Sequence, residues 1–237
     1  MLAIVTMVGG LGSAVSRADP AAEIAAIHVE AMGGRVRIAA LTAMRATGEV
    51  TAAGKTGRFT LFAARPDRVR VETTTGGRTL VQGSDGSAPA WEAETGTPTP
   101  SVRKMADGIA RTFVADAEFD DPLVAGVAGG YGFDFGGEIM VAERKLFRVL
   151  VTRRLREPFT LLVDATTYLI VGRQETRETA TGRRVPVVTR YGEFRPVEGV
   201  LLPHQVAVAV DGRVTQETQI DRIEANPNIE VARFARP

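Results

Sequence analysis

The side chains able to do chemistry in this 237-residue chain are few and poorly matched to one another. There are two histidines, His28 and His204, and no cysteine. That excludes thiol catalysis, disulfides, Cys-ligated zinc and iron–sulfur clusters, and two imidazoles are too few for most histidine metal sites. His28 falls among Ile24, Ile27 and Met32 at helical spacing, the setting of a core histidine. His204 follows Leu202-Pro203 at a strand entry. No serine sits in a GxSxG elbow, so a Ser-His-Asp triad has no nucleophile. Asp85, Asp164 and Glu175 could be posed as acid and base carboxylates, but nothing in the sequence sets their separation.

Longer patterns are equally spare. The glycines at 126, 129, 130, 132, 136 and 137 match neither GxGxxG nor a P-loop, and read as turn and bulge residues. Arg144 to Arg156 holds six basic residues in thirteen, and Val149 and Val151 between them suit a half-solvated strand. Asp116, Glu118, Asp120 and Asp121 lack the spacing and central glycine of a calcium loop, so this stretch reads as a solvated linker. Lys and Arg total 29 against 28 Asp and Glu, too balanced for a nucleic-acid partner. No cofactor or metal is expected, and the chain reads as a binding protein rather than an enzyme.

The elements that would position these residues begin with an apolar run. Met1 to Ser16 carries no charge and is shorter than the roughly 20 residues of a membrane span. Ser16-Arg17-Ala18 before Asp19-Pro20 has the small residues of a signal-peptidase cut, although no basic residue precedes the run. Residues 1–18 are therefore expected to be an export signal and 19–237 a single domain, with 28 basic and 28 acidic residues. Without a cysteine at the cut to carry lipid, the exported form is expected to be soluble in the periplasm.

Within the domain, Pro20 to Met32 predicts a helix stopped by Gly33-Gly34. Short Val-, Thr- and Phe-rich segments then predict strands at 44–53, 57–64, 68–74, 78–83 and 88–92. Ser101 to Phe113 predicts a second helix, with Val102, Met105, Ile109 and Phe113 on one face. Strands resume at 133–142, 144–153, 158–164, 167–178, 186–195, 200–210 and 213–224, and Asp211-Gly212 is the clearest hairpin turn. The order fits a mainly β, α+β chain: one curved antiparallel sheet with helices on one face. Aromatic residues are 6%, so its interior must be largely aliphatic.

Several segments together resemble the LolA/LolB-like superfamily of outer-membrane lipoprotein-sorting proteins. They are Arg45-Ala46-Thr47-Gly48-Glu49-Val50 after the first helix, Ala64-Arg65-Pro66-Asp67 entering a strand, and Gln82-Gly83-Ser84-Asp85-Gly86 followed by Trp91. Asp164 to Ile170 and the closing Phe234-Ala235-Arg236-Pro237 complete the set. The resemblance implies an incomplete antiparallel β-barrel of about 11 strands with a helical lid over an apolar cavity for acyl chains, and no catalysis.

For this chain it implies a monomeric periplasmic carrier of lipoprotein acyl chains or another lipid, handing cargo between inner- and outer-membrane transport proteins. The cavity is expected to be lined by Ile24, Ile27, Val102, Met105, Ile109 and Phe113 from the two helices. Phe59, Leu61 and Trp91 are expected to join from the strands. The resemblance also makes Arg65 a latch, its guanidinium bonded to lid-helix carbonyls. Two other readings stay open: a sensor or protein-interaction module of the same fold, and a carboxylate-based hydrolase.

Overall fold

A computed structural model describes residues 19–87, 89–153, 156–179 and 182–237; the expected export signal lies outside them. The first half supplies strands β1 (Ala43–Ala52), β2 (Lys55–Ala64), β3 (Arg68–Thr75), β4 (Arg78–Ser84), β5 (Trp91–Thr95) and β6 (Ser101–Lys104). The second supplies β7 (Tyr131–Val141), β8 (Arg144–Arg153), β9 (Arg156–Asp164), β10 (Ile170–Glu178), β11 (Arg184–Val197), β12 (Val200–Val210) and β13 (Arg213–Ala225). Among the described residues they form one antiparallel sheet of thirteen strands, ordered β6-β5-β4-β3-β2-β1-β13-β12-β11-β10-β9-β8-β7.

The sheet is open, because β6 and β7 end it without pairing to each other. Thirteen strands replace the expected eleven, partly because Ser101–Lys104 is a strand and not the start of a helix. Val102 pairs with Ala93, and the Met105 N–H donates to the Ala90 carbonyl, which keeps the chain extended until helix α3 (Asp107–Asp116).

Local chemistry explains the hairpins. Among the described residues, five turns have two residues between strands: Ala53-Gly54, Gly76-Gly77, Ala142-Glu143, Glu198-Gly199 and Asp211-Gly212. In each, both residues have positive φ, the geometry whose twist matches paired strands. The turn between β9 and β10 is built on Asp164. One carboxylate oxygen accepts from the Thr166 and Thr167 N–H groups at 3.0 and 2.8 Å, and the other accepts from Arg144 at 2.7 Å. Burial works against the Asp164 charge, yet these donors outweigh it and hold its carboxyl below the ordinary value.

Helix α1 (Pro20–Ala31) is capped by Asp19, whose side chain accepts from the Ala21 N–H. Ala21, Ile24 and Ala25 pack on Val149, Val151 and Leu161. The helix ends at Gly33, φ +127°, where a Cβ would lie 2.2 Å from the Gly199 carbonyl oxygen, so only glycine lets this end sit on the β11–β12 turn. Next to it the Leu201 N–H donates to the Met32 carbonyl. A short helix α2 (Arg35–Ala40) follows, and α4 (Pro122–Ala125) packs on α1. Residues 105–130, carrying α3 and α4, thus connect one edge strand of the sheet to the other.

Candidate functional site

Between the helices and the sheet lies a cavity of about 920 Å³, within the roughly 300–1,000 Å³ of small-molecule sites. Its wall has two characters. Met32, Ile38, Leu41, Phe194, Val200 and Leu202 make one part apolar. Arg173, Glu175, Arg177, Asp116 and Tyr191 make another charged.

The acidic stretch that reads as a solvated linker in the sequence is instead docked across this cavity. Every one of its four carboxylates meets a basic side chain. Asp116 accepts from Arg177 at 2.7 Å. Glu118 accepts from Arg153 and from the Tyr131 hydroxyl. Asp120 accepts from both terminal nitrogens of Arg65, and Asp121 from His28 at 3.1 Å. Asp121 also caps α4, accepting from the Leu123 and Val124 N–H groups. The bent path of these residues turns the four acids toward four basic side chains at different points of the wall. We call residues 116–121 the acidic strap.

Arg65 leaves the end of β2 and lines the cavity. Its Nε donates to the Leu41 carbonyl at 2.7 Å and one Nη to the Ile38 carbonyl at 3.1 Å, at the end of α2. The guanidinium also stacks over the Phe119 ring, 4.6 Å from its centroid. A single side chain therefore joins helix, strap and sheet.

Of the nine apolar residues expected at the cavity, Ile109 lines it. The others are placed elsewhere. Ile24 is packed in the core beneath α1, and Ile27 is half-buried outside the lining. Phe59 and Leu61 are farther along β2, Phe59 against Gly48. Val102 is exposed on β6, Met105 is buried beside Ala90, and Phe113 is half-buried on α3 outside the lining.

Trp91 faces the wrong way altogether. Register pairs carry its face through Gly83, Arg70 and Phe62 to Arg45, whereas cavity-lining Met44 is the next residue and points to the opposite side. There Trp91 occupies the space that a Cβ on Gly83 would need, 2.5 Å away, and donates to the Phe234 carbonyl at 3.3 Å. The three carboxylates of the hydrolase reading have separate engagements: Asp164 organises its turn, Asp85 accepts from the Ser87 N–H, and Glu175 bonds arginines.

The charged wall went unread in the sequence, although a signal exists. Strand β10 pairs on both sides, yet Arg173 to Glu178 contains no apolar residue, so one of its faces must bury charge. Glu175 accepts from Arg173 at 2.8 Å and from Arg177 at 2.7 Å. Burial, together with Asp116 and Glu175, pushes the Tyr191 phenol up to about 12, although Arg173 and Arg177 pull it down. Burial pushes the Asp116 carboxyl up more than Arg177 and Arg173 hold it down, with Glu175 adding to the push. With 44% of that side chain still open to solvent, water blunts the effect.

No family model matches the sequence, and no curated protein sequence matches it. Solved structures are similar in fold. A proposed outer membrane lipoprotein-sorting protein domain from Vibrio parahaemolyticus superposes with a TM-score of 0.58 at 11% identity, over 90% of this chain and 95% of that one. A DUF1329 family protein from Desulfovibrio piger gives 0.58 at 10%, over 92% and 98%. A LolA superfamily protein from Nitrosomonas europaea gives 0.57 at 12%, over 91% and 98%. The chain has the LolA-like fold.

Proposed function

We propose that the chain is an exported periplasmic carrier that takes acyl chains of a lipoprotein, or of another lipid, into the cavity between helices and sheet and ferries them toward the outer membrane. The observation that carries this reading is the cavity of about 920 Å³ with a continuous apolar part beneath α1 and α2. Each buried CH₂ contributes about 0.8 kcal/mol, so one tail gives useful and reversible affinity. The LolA-like fold supports the same reading. Arg65 acts as the latch: while bonded to Ile38, Leu41 and Asp120 it holds α2 and the strap over the apolar wall. Residues 1–18 serve as the export signal, and among the described residues no helix is long and apolar enough to cross a membrane.

Native mass spectrometry of the protein purified from the periplasm tests this. The expected spectrum shows a chain beginning at Asp19 with a lipid bound, and the delipidated protein takes up a fluorescent fatty-acid probe. A protein that neither carries lipid nor binds the probe overturns the carrier reading.

A further inference from the structure

Strand β10 puts Arg173, Glu175 and Arg177 on one face, all lining the cavity, their side chains only 17%, 12% and 23% exposed. The strand is fixed between β9 and β11, so these groups cannot turn away. Glu175 bonds both guanidiniums and balances one of the two positive charges. The other is balanced by Asp116, whose Oδ1 lies 2.7 Å from Arg177 and 3.8 Å from Arg173. A single oxygen between two guanidiniums is where the oxygen of an anionic ligand would sit. Its owner is easily removed: Asp116 is the last residue of α3, a helix with no buried residue. The Nε–H of Arg173 is buried without an acceptor. Apolar wall adjoins the pair, with Phe159 under the Arg173 guanidinium at 4.2 Å and Leu161 and Ile170 in the same lining.

We infer that Arg173 and Arg177 form the head-group site of an amphiphile with an anionic head, carboxylate or phosphate, and that Asp116 occupies this site until the head displaces it. The inference rests on the carrier reading and narrows its cargo to a tail with negative charge. Exchange of Asp116 for the ligand's oxygen conserves the local charge balance, so a buried guanidinium is never left unpaired. The same exchange frees the C-terminal end of α3, which couples head-group recognition to release of a helix that lines the cavity.

The test uses the delipidated full-length mature protein and three probes with one tail: palmitate, 1-palmitoyl lysophosphatidate and neutral 1-monopalmitoylglycerol, each titrated calorimetrically below its micelle concentration. Wild type is expected to prefer an anionic probe, and the better of the two identifies carboxylate or phosphate. Asp116→Asn should raise the anionic-to-neutral affinity ratio about tenfold, and Arg173→Gln with Arg177→Gln should lower it about tenfold, the scale of one charge-assisted hydrogen bond. A gain in Asp116→Asn cannot come from misfolding. If monopalmitoylglycerol binds as well as both anions and Asp116→Asn leaves the ratio unmoved, the head-group site is wrong and the carrier reading stands. If none of the three binds, both fall.

Discussion

Both ring nitrogens of His28 face acceptors: Nδ1 lies 2.8 Å from the Tyr168 carbonyl and Nε2 lies 3.1 Å from the Asp121 carboxylate. A neutral imidazole has one N–H and satisfies one of them, whereas imidazolium satisfies both. Burial opposes the charge, but the bond and charge of Asp121, with the Tyr168 carbonyl, outweigh it, and the His28 pKa is raised above 6.5. A group raised on folding stabilises fully below its unfolded value, and that stabilisation is lost as pH rises through the folded value. The melting-temperature gap between wild type and His28→Gln should therefore shrink from pH 5.5 to pH 8.5. A gap that widens over that range would reverse the assignment. The latch proposed for Arg65 makes a kinetic prediction at the same scale. Arg65→Leu deletes two helix-carbonyl bonds and the partner of Asp120. At these half-buried positions that is worth about 1–2 kcal/mol, so entry of a fluorescent fatty acid should quicken about five- to thirtyfold. Stopped-flow mixing reads it, and an unchanged entry rate with an intact fold rules out the latch.

Among the elements, α3 and the strap are held differently from everything else. No residue of α3 is buried, so the segment is held by ion pairs from Asp116, Glu118, Asp120 and Asp121 to the cavity wall, with Phe119 as its apolar contact. Partly exposed pairs are individually worth about 0–1 kcal/mol, and salt weakens them as the screening length falls from about 10 Å at 0.1 M to about 3 Å at 1 M. Amide exchange in residues 107–121 should accelerate at 1 M NaCl while β8 to β12 stay protected; equal protection at both salts would mean that apolar packing holds the strap. The sequence was readable where local chemistry decides structure. Positive-φ pairs such as Asp211-Gly212 and the stop at Gly33-Gly34 marked their elements directly. It misled where two periodicities overlap. Val102, Met105, Ile109 and Phe113 fit a helical face, but only the last two are on a helix, because pairing with β5 captures residues 101–104 first. The strap was unreadable for a related reason: its acids look solvated until distant Arg65, Arg153 and Arg177 are brought to them.

At the scale of the whole molecule, which face of the sheet holds the cavity was beyond local reasoning. Trp91 and Phe59 are both buried aromatics, yet register places them on opposite faces, and the turn at Val231–Phe234 covers that of Trp91. The open edges are managed without closure. β6 has four residues with Arg103 and Lys104 among them, and β7 carries a bulge between Phe135 and Glu138. Both features discourage pairing with other chains. The strand order has a temporal consequence. β6 to β1 form one meander and β7 to β13 another, and the two are joined within the sheet only where β1 meets β13, Met44 opposite Ala225. Each meander is made of neighbours in sequence and can zip as soon as its residues are present. The seam between them must close a loop that takes in most of the domain, the slowest kind of contact to make. Until the last strand arrives, β1 is a bare edge and the cavity, whose wall draws on both meanders, does not exist. If the chain is exported as proposed, threading from the N-terminus would bring it to the far side before it could hold cargo, and folding itself would set the compartment in which binding begins.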